Sequence, residues 1–350
     1  MRRPWFAFLT LAVLAVAVFM ACGQKVAPTV TDDPAKLELF QSLPAAMISP
    51  ANPLTDEKIA LGRMLYFETR LSKSQQISCN SCHNLASYGV DGEPTSDGHK
   101  GQKGNRNSPS VYNAAGHIAQ FWDGRATDVE AQAKGPVLNP VEMAMPSGKQ
   151  VVAVLKSMPE YVAAFKKAFP NDRDPVSYDN MAMAIGAFER KLVTPSRWDK
   201  FLRGDQKALT VVEKVGFNDY MDAGCAACHS GTYLGGNQYQ RLGAVKAWPD
   251  ASDPGREKVT KSESDRLVFK VPSLRNVDKT GPYFHNGRVK SLDESITIMA
   301  QYQLGKSLPP EKVTSIATFL RALSGDLPAD YIKPPELPKS TASTPKAALD

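Results

Sequence analysis

The chain has 350 residues, 42% of them hydrophobic and 22% charged, with a formal charge of +6 from 42 Lys and Arg against 36 Asp and Glu. The excess falls to +4 if Arg2 and Arg3 leave with an N-terminal leader, and so mild a surplus argues against a nucleic-acid partner. A mature chain of this length suits two modest domains.

The leader comes first. Arg2 and Arg3 precede an apolar run from Trp5 to Met20, and Ala21-Cys22 follows. A charged start, an apolar stretch and small residues read as an export signal over residues 1–21. Phe19-Met20-Ala21-Cys22 loosely resembles a lipoprotein box, although Phe and Met fit its first two positions poorly. Ordinary cleavage and a lipid anchor at Cys22 both stand as readings, and lipidation would anchor the chain without making it span a membrane. Residues 22–37 read as a tether.

Four of the five cysteines fall in two Cys-x-x-Cys-His boxes, Cys79-Asn80-Ser81-Cys82-His83 and Cys225-Ala226-Ala227-Cys228-His229. Paired thiols at this spacing form thioethers to the vinyl groups of one haem, and the next histidine is placed to ligate its iron. Zinc would leave the adjacent histidines unexplained, and a disulfide framework would not need His after every second Cys. The boxes therefore predict two covalently bound haem c groups. Haem attachment of this kind takes place outside the bacterial cytoplasmic membrane, so the export signal and the boxes support each other and point to the periplasm. The boxes lie 146 residues apart, from Cys79 to Cys225, which leaves room for one haem domain around each.

The rest reads as helices joined by Gly- and Pro-rich loops. Candidate helices run from Thr55 to Tyr66, Lys149 to Ser157, Pro159 to Phe169, Tyr178 to Lys191, Thr210 to Ala223 and Pro310 to Leu323. Val268 to Val271 is a candidate short strand, and no sustained alternation supports a larger sheet. The fold class is mainly α, two cytochrome c-like haem domains with long loops, over residues 38–195 and 196–326. The tail 327–350, rich in Pro, Ser, Thr and Ala after Lys333, reads as disordered.

Axial ligands decide what each haem can do. His and Met together saturate the iron and raise its potential, whereas His with a displaceable sixth ligand leaves room for a substrate. Met299 lies 70 residues after His229, a spacing that suits the distal loop of a c-type domain. For the first haem, His99, Met143 and Met145 compete, and spacing alone does not choose among them.

Longer motifs resemble the bacterial dihaem cytochrome c peroxidases. They include Gly98-His99-Lys100, Phe121-Trp122-Asp123-Gly124-Arg125-Ala126 and Gly135-Pro136-Val137-Leu138-Asn139-Pro140-Val141-Glu142-Met143. Phe269-Lys270-Val271-Pro272-Ser273-Leu274-Arg275-Asn276-Val277 and Pro282-Tyr283-Phe284-His285-Asn286-Gly287 extend the likeness, which covers roughly residues 38–326. The resemblance implies a peroxidatic N-terminal haem with His99 as removable ligand and an electron-receiving C-terminal haem with Met299. It implies that Glu142 moves the protons of peroxide cleavage, that Gln132 lies in the same pocket, and that Trp122 lies between the haems. It further implies calcium held by the Asn107 side chain and the carbonyls of Lys270 and Pro272, and a homodimer fed by a small cytochrome c or cupredoxin. It also implies hydrogen peroxide as the substrate. A plain dihaem electron carrier, which would not need Glu142, is the alternative. A third class, which oxidises residues of a partner protein, carries Tyr where this chain has Met299. His285 reads as a core or propionate-bonding histidine, and His117 is assigned no role.

Overall fold

The computed structural model describes Met1 and residues 34–348. The apolar run expected to serve as an export signal and Cys22 lie outside the described residues. Among those described, no helix is long and apolar enough to cross a membrane.

The elements are mainly helical. Short α1 (Pro34–Leu37) precedes α2 (Asp56–Tyr66), α3 (Cys79–Cys82), α4 (Val129–Leu138), α5 (Gly148–Lys156), α6 (Pro159–Ala168), α7 (Tyr178–Glu189) and α8 (Arg197–Leu202). Then follow α9 (Val211–Ala223), α10 (Glu257–Thr260), α11 (Leu292–Gln303) and α12 (Pro310–Arg321). Strands β1 (Tyr239–Arg241) and β2 (Val268–Lys270) form one antiparallel pair with Gln240 opposite Phe269. The six expected helices and the strand appear with their ends shifted by a residue or two. Beyond these expected elements the fold adds α1, α3, α4, α8, α10, α11 and β1.

Local chemistry sets the helix ends. Thr55 caps α2 by accepting from the Lys58 amide, with Asp56 and Glu57 in the first turn. Thr210 and Glu213 form a capping box on α9, and Gly224, at φ 96°, ends it in the left-handed region. Asp128 caps α4, and Ser291 caps α11.

The same local structure is built twice. Gly62 on α2 crosses α7 so closely that a Cβ there would lie 1.8 Å from the Ala184 carbonyl oxygen. Gly216 on α9 meets α12 in the same way, with 2.2 Å to the Ser315 oxygen. Tyr66 and Tyr220, one turn further on, donate their hydroxyls to the carbonyls of His83 and His229. Asn113 and Asn276, 163 residues apart, both take φ 61°. Each donates its amide to the Thr194 hydroxyl at 2.9 Å, so one threonine joins the two copies. Phe121 and Phe284, and Gly124 and Gly287, keep the same 163-residue separation and positive φ in two matching turns.

Two apolar clusters follow from this repetition. One gathers α2, α5, α6 and α7 near the first box, and the other gathers α8, α9, α11 and α12 near the second. The chain ends cross between them. Phe40, expected with the first half, packs edge-on to Trp198 in the second cluster with ring centres 5.5 Å apart. The expected disordered tail instead lies along the first cluster as far as Ala348. Tyr331 stacks on Phe188 and donates to its carbonyl, and Arg63 and Gln75 bond the carbonyls of Lys333 and Pro345. Tail composition understated this, because one aromatic anchor and a run of backbone carbonyls suffice to hold a segment that builds no core of its own.

Candidate active site

The first box closes one turn of helix. Residues three apart share a helix face, so α3 turns the Cys79 and Cys82 thiols to the same side, and His83 caps its end. All three line a cavity of about 660 Å³. Burial pushes the Cys79 thiol up to about 12 and holds His83 below the usual imidazole value, so the ring is neutral, the form that ligates a metal. The buried Nδ1 of His83 has no hydrogen-bond partner among the described residues.

The second box lines a cavity of about 270 Å³ with Cys225, Cys228 and His229. His229 Nδ1 lies 3.2 Å from the Leu234 carbonyl, which can only accept, so the proton sits on Nδ1 and Nε2 keeps its lone pair. Burial lowers this ring to about 4. Both cavities therefore present two thiols, a neutral imidazole and a mainly apolar lining, and they fit covalently held haem.

The walls facing the two boxes differ. Ser295, Met299 and Gln303, at helical spacing on α11, line the second cavity. Met299 thus stands on a helix and not on the expected loop. Two of the residues 163 positions earlier stand on α4 and line the first cavity, where Gln132 takes the place of Ser295 and Pro136 that of Met299. Met143 is buried against the first cavity, whereas Met145 is buried in the core beyond it.

Glu142 also lines the first cavity, its Oε1 accepting from Asn139 Nδ2 at 2.9 Å. Burial raises its carboxyl above the ordinary value, while Arg125 and the Asn139 amide restrain the rise. His99 does not join this wall. Its imidazole is buried with neither nitrogen hydrogen-bonded, while its amide donates to the carbonyls of Val141 and Glu142 at 3.0 and 2.8 Å. Gly98 permits this, since a Cβ there would lie 1.9 Å from the Val141 oxygen.

One partition separates the cavities. Trp122 and Asn107 line both, and Trp122 Nε1 donates to the Asn107 carbonyl at 2.9 Å. His285 stacks on Phe269 with centres 4.5 Å apart, which fits its core reading. Lys270 and Pro272, named with Asn107 for calcium, line the second cavity as Asn107 does. The Asn107 side-chain amide donates to the Glu93 carbonyl at 3.0 Å, which leaves its Oδ1 without that bond.

The sequence reading missed two features. Lys270 Nζ lies 3.1 Å from His117 Nδ1 inside the second cavity, with burial lowering the amine to about 8. Glu189, at the end of α7, faces the first cavity. The 163-residue repetition of Asn and of Phe-x-x-Gly turns is the sequence signal that exposes the first wall's missing methionine.

Comparison with known proteins agrees with this architecture. The di-haem cytochrome c peroxidase family model matches residues 56–207. Cytochrome c551 peroxidase of Pseudomonas aeruginosa is 49% identical over 317 residues, covering 89% of this chain and 90% of that protein. The cytochrome c551 peroxidase of Nitrosomonas europaea is 45% identical over 87% of this chain and 90% of its own. A MauG-like protein associated with microbial copper homeostasis shares the fold at a TM-score of 0.74 and 27% identity, over 84% of this chain and 97% of that one. The chain belongs to the di-haem cytochrome c peroxidase family.

Proposed function

We propose that this protein is a periplasmic peroxidase that reduces hydrogen peroxide to two waters, consuming two protons and two electrons. A small cytochrome c or cupredoxin supplies the electrons one at a time. They arrive at the haem of Cys225, Cys228 and His229 and cross the Trp122 partition to the haem of Cys79, Cys82 and His83.

The observation that carries this reading is the contrast between Met299 and Pro136 at matching helix positions. A methionine facing the second box saturates that iron for electron transfer. Proline has no group to ligate, so the first site keeps a face for substrate. Haem, when bound there, supplies the redox chemistry that breaks the O–O bond.

The protein's own groups then handle the protons. Glu142 takes the proton from the near oxygen of peroxide and returns it to the far one, which leaves as water. A carboxyl raised by burial suits both directions of that transfer. Gln132 orients the peroxide from α4. His99, with two unbonded ring nitrogens, serves as the removable ligand that closes the site. Calcium between Asn107 Oδ1 and the carbonyls of Lys270 and Pro272 braces the partition; neutral oxygens suit that ion. The working form is a homodimer, and the two haem domains correspond to the two repeated halves.

A donor-coupled assay tests the reading. The holoprotein should oxidise two equivalents of reduced one-electron donor for each peroxide consumed. Donor oxidation that stops after the haems are charged, with no dependence on peroxide, would leave a plain electron carrier.

A further inference from the structure

Glu189 is a carboxyl that the fold does not need. It is 4% exposed at the end of α7 and lines the first cavity with Cys79 and with Ile185, one turn back. No hydrogen bond or ion pair among the described residues reaches its carboxyl. The adjacent Arg190 is committed to Glu130, at 2.8 Å to each oxygen. An unpartnered buried carboxyl is costly.

The second copy shows what packing alone selects. Ile185, Phe188 and Leu192 correspond, 131 residues on, to Ile316, Phe319 and Leu323, which places buried Leu320 where α7 has Glu189. The same helix crossing is complete with an apolar residue. A carboxyl kept in the copy whose cavity lacks the methionine therefore serves that cavity and not the fold.

We propose that Glu189 is a proton-binding site coupled to the first haem, taking up one proton when an electron arrives there and releasing it when the electron leaves. The inference rests on a haem at the first box and not on peroxide turnover. The physics is direct. An electron added beside the carboxyl raises its hold on a proton, and an ionised carboxyl favours the oxidised haem, so the potential falls as pH rises through the window.

Burial, then Glu130, push Glu189 up to about 8 against the pull of Arg190. The other groups facing it do not titrate there. Tyr66 on α2 and Tyr331 in the tail are raised above the usual tyrosine value by burial, and Cys79 is consumed in the thioether. Glu130 is paired with Arg190 through both of its oxygens.

The test is a spectroelectrochemical titration of the holoprotein from pH 6 to pH 10, following the two haem waves separately. The wild-type first-haem wave should fall by up to tenfold in its reduced-to-oxidised ratio per pH unit near pH 8, about 59 mV for one electron. Glu189→Gln and Glu189→Leu should flatten that slope and leave the second wave unchanged. Glu142→Gln should retain it, since Glu142 lines the same cavity but serves the substrate. A slope that survives in Glu189→Gln overturns the proposal, as does one lost in Glu142→Gln alone. Leu320 indicates that the Leu variant folds; if it does not, the Gln variant still decides. A protein that keeps the slope but turns over no peroxide refutes the peroxidase reading and leaves this one standing.

Discussion

Glu142 and Glu189 both face the first cavity, and their surroundings assign them different work. Glu142 has Asn139 to bond and Arg125 nearby, which keep it within reach of ionisation. Glu189 has neither. A third carboxyl, Asp199, is structural: it accepts from Arg275 Nη1 at 2.7 Å and from the amides of Leu43 and Ser196. Burial alone would raise Asp199, but Arg275 and those donors outweigh it and hold it below the ordinary value. Its stabilisation is therefore full above the unfolded carboxylate value and is lost as pH falls through the depressed folded one. Asp199→Asn leaves Arg275 buried without its counter-charge and should cost about 3 kcal/mol in urea unfolding at pH 7. A loss below about 0.5 kcal/mol would contradict the role given to this pair.

At the scale of elements, the paired helix crossings hold the two boxes and the α4 and α11 walls differentiate them. Gly62→Ala drives a Cβ into the Ala184 carbonyl, so α2 and α7 must part. We expect a loss of about 1–3 kcal/mol or more in thermal or denaturant unfolding, and wild-type stability would contradict the crossing. Met299→Leu should lower only the higher-potential haem wave, because α11 faces only the second cavity. A shift of the lower wave would overturn the assignment. The strongly periodic or capped helices, such as α9 and α12, were legible in the sequence, as were both boxes. Helix α4 was not: Gly135 and Pro136 disguise its end, and its apolar residues form no clean stripe. Capped α11 was hidden because Met299 was read as a loop ligand. Glu189 stayed hidden inside a good helix pattern, since nothing along the chain marks a buried carboxyl until the duplicated helix shows leucine there.

Across the whole molecule, the halves are tied by more than the covalent chain. Thr194 receives an asparagine from each copy, Phe40 docks in the second cluster, and Tyr331 returns to the first. Between the cavities, Trp122 and Asn107 are among the residues that line both. The segment around His99, with Gly92, Gly101 and Gly104, has few apolar anchors and is tied to the Glu142 segment by backbone bonds. Such a loop opens at low cost, and an electron shifts it only by favouring one arrangement over the other. The oxidised protein should therefore react slowly with peroxide until one electron is added, and His99→Gly should remove that requirement. Equal rates for the oxidised and half-reduced wild type in stopped-flow mixing would show that no such switch operates.

In the proposed mechanism, the first cavity performs peroxide chemistry with Glu142 as its proton carrier. Glu142→Gln keeps the size and the hydrogen-bonding head but not the exchangeable charge. Steady-state turnover of the holoprotein with saturating reduced donor is the direct measurement. Glu142→Gln should lower kcat about 100- to 10,000-fold with both haem spectra intact. Turnover within about threefold of wild type, less than about 1 kcal/mol of barrier, would contradict it.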